Sequence, residues 1–418
     1  MLLIFCGVSF SQVEILTDQA KLFMQIAHKI ELKANNTQMT YFKKACGVAR
    51  FAWNWGLSEW DQQFKSGQKP SGMALKKQFI ALKEAEFPWT YEVTKYASQQ
   101  PFLDLQDAWK RFFKKLGGKP RFKKKGRSHD SFYVGGDQIK LDESKRRIKI
   151  PNLGWVRLKE SLRFEGKINS VVISRTADRW FASIQVEAPI LFPKHENQVS
   201  VGVDLGVLQL ATLSDGVVFQ SPMPLKKLLR RLRRASRQLS KKVKGSQQSK
   251  KAASNLARLH MRIANIRRDT LHKVTTHIAA NYSQIGIEDL HVKGMVRNSR
   301  LARAISDVGL GEFRRQLTYK AEWRGAAVVI HPRFFPSSKK CSSCGKVKEA
   351  LSLSERTYRC ECGFTMDRDL NAAMNLNPVP KALREITPAE MTALRRSVHP
   401  VFVTSIVETG SQHQLLCG

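Results

Sequence analysis

The period of hydrophobic and polar positions changes several times along the chain. Residues 25–34 (QIAHKIELKA) alternate, as a strand with one buried face does. From Thr37 the spacing turns helical through QMTYFKKACGVARFAWNWGLSEWDQQFKSG, with Tyr41, Phe42, Phe51, Trp53, Trp55 and Trp60 as candidate core rings. A second helical block runs from Gly72 to Leu116. Residues 131–190 return to a period of two: IKLDESKRRIKIP, GWVRLKE and INSVVISRTADRWFASIQVEA read as short strands separated by polar turns. They predict a small β-barrel or sandwich completed by the strand at 25–34, with the helical block as an insertion between its strands.

At Val199 the pattern changes again. VSVGVDLGVLQLATLSDGVVF predicts a buried strand carrying Asp204, then Gly206, a second strand and a turn at Ser214-Asp215-Gly216. Residues 224–280 are helical, with Leu228, Leu229, Leu232 and Leu239 on a packing face. SQIGIEDL predicts a strand ending on Glu288, and the loop HVKGMVRNSR leads into one helix, LARAISDVGLGEFRRQLTYKAEWRG. The strand AAVVIHP and the segment FFPSSKK follow. After Leu376 come Pro378, Pro380 and Pro388, which read as a weakly packed tail.

Charge changes this picture from a fold to a partner. The 418 residues carry 71 Lys and Arg against 35 Asp and Glu, a formal net charge of +36, while a hydrophobic fraction of 42% supports packed cores. Such an excess calls for a polyanion, nucleic acid by default. No stretch approaches the roughly 20 apolar residues of a spanning helix, so a membrane partner is not expected. The opening MLLIFCGVSF lacks a basic leader and a small-residue cleavage site, and residues 1–23 read as an extension ahead of a natural start at Met24. The chain reads as an intracellular, cytoplasmic protein.

The basic residues cluster. Lys43, Lys44 and Arg50 lie on the polar side of the first helix. Lys110, Arg111, Lys114, Lys115, Arg121, Lys123, Lys124 and Lys125 interleave with Trp109, Phe112, Phe113 and Phe122, a mixture suited to phosphate contacts plus stacking on unpaired bases. A solvated basic loop is the plainer alternative; the length of the run, with only Asp130 as counter-charge, favours binding. From Lys226 to Arg268 there are sixteen Lys or Arg and no acid, and Arg230, Arg231, Arg233 and Arg234 are the densest part.

Four of the seven cysteines fall in one window: Cys341 and Cys344 as C-x-x-C with Gly345 at the turn, then Cys360 and Cys362 as C-x-C. Four thiolates in two short pairs suit one structural, tetrahedral Zn²⁺ with no open position for chemistry. Disulfides or free thiols are the alternative. Directly after comes DRDLNAA, which reads as a helix opening with Asp367 as its N-cap.

Asp204, Glu288 and Asp369 stand where strand or helix ends would converge, while Asp289 reads as a solvated acid at a strand end. Burying unpaired carboxylates costs several kcal/mol. Binding Mg²⁺ or Mn²⁺ relieves that cost, because hard cations prefer oxygen ligands. The order of strand-acid with hairpin, strand-acid, strand and helix-acid is that of an RNase H-like fold. Two metals about 3.5–4 Å apart, bridged by Asp204 and flanked by Glu288 and Asp369, would activate water for phosphodiester hydrolysis. Any one of these acids alone could equally be a turn former or an ion-pair partner.

On HKIEL, GVARFAWN, KPRFKKK, VGVDLG, IEDLHVKGM, LARAISD, FRRQLTYKAEW, FFPSSKKCSSCG and CGFTMDRDLNAAMNL, the chain resembles the TnpB (OrfB) family of insertion-sequence proteins, related to type V CRISPR effectors. The resemblance implies an α+β multidomain protein. Its expected parts are a wedge-like β-barrel (24–36 and 130–197), a helical recognition domain with a helix-turn-helix-like start (37–129) and a RuvC-like α/β nuclease domain (198–340 and 363–380). A zinc ribbon (341–362) interrupts the nuclease domain, and a flexible tail (381–418) follows it. It further implies a guide RNA, a double-stranded DNA target with a short adjacent motif, and a separate single-strand transposase encoded nearby. The family triad falls on Asp204, Glu288 and Asp369, unsubstituted. A nuclease-silent guided regulator and an acidic-triad transposase are the competing readings.

Overall fold

The computed structural model describes residues 23–189, 199–352, 354–378 and 400–401. The expected extension at 1–23 and tail at 381–418 lie almost wholly outside the described residues. The chain divides into two compact units, with the division near Ile190 and the short turn Thr176–Arg179 grouped with the second.

The first unit holds a seven-stranded antiparallel sheet. Its strands are β1 (Phe23–Lys33), β2 (Ser131–Gly135), β3 (Lys140–Leu141), β4 (Arg147–Ile150), β5 (Gly154–Leu158), β6 (Lys167–Thr176) and β7 (Arg179–Pro189), in the order β2-β6-β7-β1-β5-β4-β3. The strand expected at 25–34 does join this sheet: β1 lies at its centre, paired with β7 along Phe23–Leu32 and with β5 at Leu32 and Lys33. Between β1 and β2 run α1 (Asn36–Lys65), α2 (Gly72–Glu86) and α3 (Lys95–Phe113). Asn35 and Gln38 start α1 with a reciprocal capping box. The helical block from Gly72 is not continuous: Pro88 has no amide proton to extend α2, and a short 3₁₀ turn over Pro88–Glu92 precedes α3.

One long helix serves two cores. Tyr41, Phe42, Ala45 and Cys46 of α1 join the inward residues of the sheet, among them Ile30, Phe132, Ile148, Val156, Val171 and Ile184. Further along, Trp53, Leu57 and Trp60 pack with Leu75, Phe79, Phe102, Leu105 and Trp109 of α2 and α3. Trp109 is therefore a core ring, stacked on Trp60 at 5.6 Å, and not a post for bases.

The second unit holds a six-stranded mixed sheet. Its strands are β8 (Ser200–Asp204), β9 (Gln209–Leu213), β10 (Val218–Gln220), β11 (Gln284–Glu288), β12 (Ala327–His331) and β15 (Pro400–Val401), in the order β12-β11-β8-β9-β10-β15. β8, β9 and β10 form an antiparallel meander, while β11 runs parallel to both β8 and β12. A small hairpin of β13 (Thr357–Arg359) and β14 (Thr365–Asp367) precedes the last described helix.

The helices of this unit are α4 (Pro224–Ser240), α5 (Gln247–Asn281), α6 (Val292–Met295), α7 (Ala302–Val308), α8 (Leu310–Trp323) and α9 (Arg368–Leu376). The expected single helix over 301–325 is two, because Gly309 adopts φ +80° and ends α7 before α8 begins. Leu271, Val274 and Ile278 of α5 and Phe313 and Leu317 of α8 pack on Val201, Val203, Ile285 and Ile287. The leucine stripe of α4 is only half-buried. What fixes α4 is Asp307 of α7, whose buried carboxylate accepts from Leu225 N (2.9 Å), Lys226 N (3.0 Å) and Arg267 (3.1 Å). It supplies a cap that the helix's own N-cap residue, Met223, lacks. Among the described residues no helix is long and apolar enough to cross a membrane.

Lys320 of α8 is buried, and its ammonium donates to His272 O (2.7 Å), Thr275 Oγ1 (2.8 Å) and Thr276 Oγ1 (2.7 Å). Burial, then the nearby Arg324, pulls its pKa down to about 8. Unfolded, the same lysine holds its proton up to about pH 10.4. Over that window the unfolded chain binds more protons, so stability rises with pH. Urea unfolding is expected to show a rise between pH 8 and 10.4 that is larger in wild type than in Lys320→Met by on the order of 1–3 kcal/mol.

Candidate active site

Asp204 ends β8 and Glu288 ends β11, and the register Val203↔Ile287 places the two acids side by side on adjacent parallel strands. Neighbouring strands lie about 4.8 Å apart. Val201, Val203, Ile285 and Ile287 point to the α5–α8 core, so the alternate positions Gly202, Asp204, Gly286 and Glu288 face the other way, toward α9.

The two glycines set how close α9 comes. A Cβ on Gly202 would lie 1.9 Å from Ala373 O, and one on Gly286 would lie 1.8 Å from Leu376 O. Gly202 and Gly286 are cross-strand partners, so together they form a floor without side chains on which the backbone of α9 rests. The first turn of the same helix carries Asp369. Asp367 caps it, accepting from Asp369 N (2.9 Å) and Leu370 N (3.0 Å) as the sequence led us to expect. Further polar contacts lock α9. Asn371 is fully buried, accepting from Ser342 N (2.9 Å) and donating to Lys340 O (2.8 Å), while Asn375 donates to Ser337 O (2.9 Å) and Lys340 O (2.6 Å). His331 Nε2 lies 2.9 Å from Leu376 O.

The electrostatics show the acids acting on each other. Loss of water, then the charges of Glu288 and Asp369, push Asp204 up to about 8, with the Arg368 cation opposing. Arg368 lies 3.2 Å from Asp369 Oδ1, Arg356 approaches Asp369 at 4.0 Å, and the Ser337 hydroxyl donates to Glu288. The carboxylates are thus spread onto protein partners. Among the described residues the only group of three or more His, Cys, Asp or Glu side chains whose ligand atoms converge is the cysteine set. Asp289 is not a solvated acid: it is gripped by Arg314 and by Arg333 (2.8 Å), which hold its pKa below the usual range.

The four Sγ atoms of Cys341, Cys344, Cys360 and Cys362 lie within 4.8 Å of one another, with Cys341–Cys362 at 3.9 Å and Cys344–Cys360 at 3.6 Å. Four sulfurs each 2.3 Å from a tetrahedral zinc would be about 3.8 Å apart, so the donor set fits that ion. A disulfide needs about 2.05 Å, and all four are free thiols. The C-x-C spacing is accommodated because Cys360 N bonds Phe364 O (2.8 Å) as the chain turns at Gly363 into β14. That hairpin runs through Asp367 straight into α9.

The basic residues divide. Lys43, Lys110, Arg111, Lys114, Lys115, Arg121, Lys124, Lys125, Arg230, Arg231, Arg233 and Arg234 are exposed, and Lys44, also exposed, pairs with Glu92. Arg50 is not available to a phosphate: it is 18% exposed and pairs with Asp130, which also holds Arg175. Lys123 is likewise occupied, with Nζ over the Trp53 ring at 3.9 Å and its main chain bonded in both directions to Asn54. Sequence reasoning missed Arg258 and Arg262 of α5, which line one cleft with Arg231 and Arg234 of α4. Their spacing on a helix that carries no acid before Asp269 was the available signal.

Comparisons with known proteins agree with this architecture. Family descriptions match at residues 183–299 ("Probable transposase"), 311–376 ("Cas12f1-like, TNB domain") and 24–69 ("Helix-turn-helix domain"). In Escherichia coli K12, the protein described as "Putative RNA-guided DNA endonuclease InsQ" is 37% identical over 369 residues, covering 84% of this chain and 91% of that protein. A Mycobacterium tuberculosis protein of the same description, Rv2885c, is 32% identical, covering 84% of this chain and 85% of its own length. A Cas12f1–sgRNA–target DNA complex superposes with a TM-score of 0.53 at 12% identity over 85% of this chain and 99% of that one, a likeness of fold. The chain belongs to the TnpB (OrfB) family.

If the glycine floor sets the approach of α9, Gly286→Ala should lower unfolding stability by about 3 kcal/mol or more, the range of severe core overpacking. Gly311→Ala, with nothing within 4 Å in the first turn of α8, should be neutral or stabilising by up to about 1 kcal/mol. Chemical denaturation of the two variants decides it.

Proposed function

We propose that this protein is an RNA-guided DNA endonuclease that hydrolyses phosphodiesters at Asp204, Glu288 and Asp369. The observation that carries it is the electrostatic action of Glu288 and Asp369 on the buried Asp204 at one sheet end, in a chain of net charge +36. Supporting it are the family relatives, among them the Escherichia coli and Mycobacterium tuberculosis proteins described as "Putative RNA-guided DNA endonuclease".

The site's own residues divide the work. Asp204, flanked by two acids, presents a carboxylate whose charge is costly until a cation neutralises it. Asp369 sits in the first turn of α9, where the helix dipole stabilises its negative charge. Ser337 orients Glu288, and Arg368 steadies Asp369. Mg²⁺ or Mn²⁺ bound by the three acids would supply Lewis acidity and an activated water. One Zn²⁺ on the four cysteines would hold the ribbon, and through β14 would hold the start of α9. The exposed basic residues of the helical segment 37–129 and of α4 would carry the guide and target backbones. Base pairing with the guide would choose the sequence.

The test is to sequence RNA that co-purifies with the protein. That RNA is then offered with matched duplex DNA and Mg²⁺ to wild type and to Asp204→Ala. A discrete RNA and metal-dependent cutting, reduced at least about 100-fold in the variant, is expected. Bound RNA with no cutting would replace the nuclease with a guided regulator. Strand joining without RNA would replace it with a transposase.

Cation binding has a readout that needs no cutting. Mn²⁺ is expected to raise the melting temperature of wild type but much less that of Asp204→Asn, because a ligand specific to the native state stabilises it. Asp204→Asn should melt higher than wild type when divalent cations are scarce, since it removes a repelled charge. Equal responses to Mn²⁺ would contradict the site. Removing the ribbon metal, or Cys360→Ser, should abolish cutting by freeing α9.

A further inference from the structure

Phe334 is 92% exposed, the most exposed large apolar side chain among the described residues. Its setting is not that of a loose loop tip. The turn that bears it leaves β12 at His331 and is fastened to Asp289 before it and, through Ser337, to Glu288 after it. Before it, Arg333 donates to Asp289 Oδ2 at 2.8 Å, next to Glu288. After it, Phe335 packs on His331 with ring centroids 4.8 Å apart, and Phe335 N bonds Pro332 O at 2.9 Å. Ser337 N then bonds Phe335 O at 2.8 Å, and the Ser337 hydroxyl reaches Glu288 itself. Phe334 is held outward by a turn that cannot swing without disturbing Glu288.

Burying a phenylalanine ring contributes about 1.5–3 kcal/mol, and here that contribution is forgone in the free protein. The ring's surroundings state what would cover it. Arg333 beside it is paired with Asp289, and Lys339 and Lys340 follow in the next turn, with the Lys340 ammonium 5.6 Å from the Phe335 ring centroid. A partner must then combine negative charge with a flat apolar face. A single nucleic-acid strand does so, through its phosphates and its unstacked bases, whereas a duplex keeps its base faces covered. We propose that Phe334 stacks on an unpaired nucleobase next to the scissile phosphodiester, and so positions that phosphate at Asp204, Glu288 and Asp369. This rests on the nuclease reading above. Phe334 is a positioning residue and takes no part in bond making.

The test uses full-length protein in an Asp204→Ala background, so that the strand survives. Single-stranded oligonucleotides carrying 2-aminopurine at successive positions are titrated with protein bearing Phe, Ala or Tyr at 334. Stacking on the ring should quench the fluorophore; Phe334→Ala should relieve part of that quench and Phe334→Tyr should keep it. In the cutting-competent protein, Phe334→Ala should slow cleavage of matched DNA about 5- to 100-fold, as expected for one lost base stack. It should also scatter the cut positions, with Phe334→Tyr restoring both and the melting temperature unchanged. Quench profiles that are the same with and without the ring overturn the proposal, whether or not the protein cuts. A Phe334-dependent quench in a protein that never cuts matched DNA upholds the stacking and overturns the nuclease reading alone.

Discussion

Everything at the acid cluster depends on how closely α9 lies against the sheet. Two strands offer that helix no side chains at the positions it crosses, Gly202 and Gly286, so its carbonyls lie where Cβ atoms would be. Two residues further along each strand, on the same face, stand Asp204 and Glu288. The spacing from floor to acid is the same on both strands, so one docking event aligns three elements. The N-terminus of α9 adds favourable partial charge at the end where the acids gather. Its C-terminal end is tied to His331 and, through Asn377, to Ser200 O.

The ribbon makes that docking conditional. Asn371 and Asn375, one turn apart on one face of α9, bond to the main chain at Ser337, Lys340 and Ser342, the segment that enters the four cysteines. The hairpin that leaves the cysteines delivers Asp367, the cap of α9. Cysteine cluster and acid-bearing helix are one folded piece. The arrangement of acids is costly, since Asp204 is desolvated beside two like charges. The packing of Leu370, Ala373 and Leu376 and the buried, hydrogen-bonded Asn371 offset that cost.

Much of this was legible in the sequence. Strands ending on Asp204 and Glu288 announced themselves as apolar, β-branched runs closed by an acid, and the cysteine spacing announced the ribbon. What escaped depends on contacts far along the chain. Arg50 read as a free cation because its partner Asp130 lies 80 residues away, and Asp289 read as solvated because its arginines come from α8 and from the turn after β12. Gly202 and Gly286 passed for ordinary strand residues, since only the helix that crosses them gives them meaning. The break at Gly309 was hidden inside a sequence whose helical period continues on either side. Asn371 and Asn375 did carry a signal: two amides at a spacing of four on an otherwise apolar helix face ask for buried partners.

The central claim is that Asp204, Glu288 and Asp369 form one cation site, assembled by α9. The most direct measurement is anomalous scattering at the manganese edge from crystals grown with Mn²⁺. The account predicts manganese bound among those three carboxylates, and none there in crystals of Gly286→Ala that still fold. Manganese bound elsewhere, or in the same place when α9 is displaced, would contradict it.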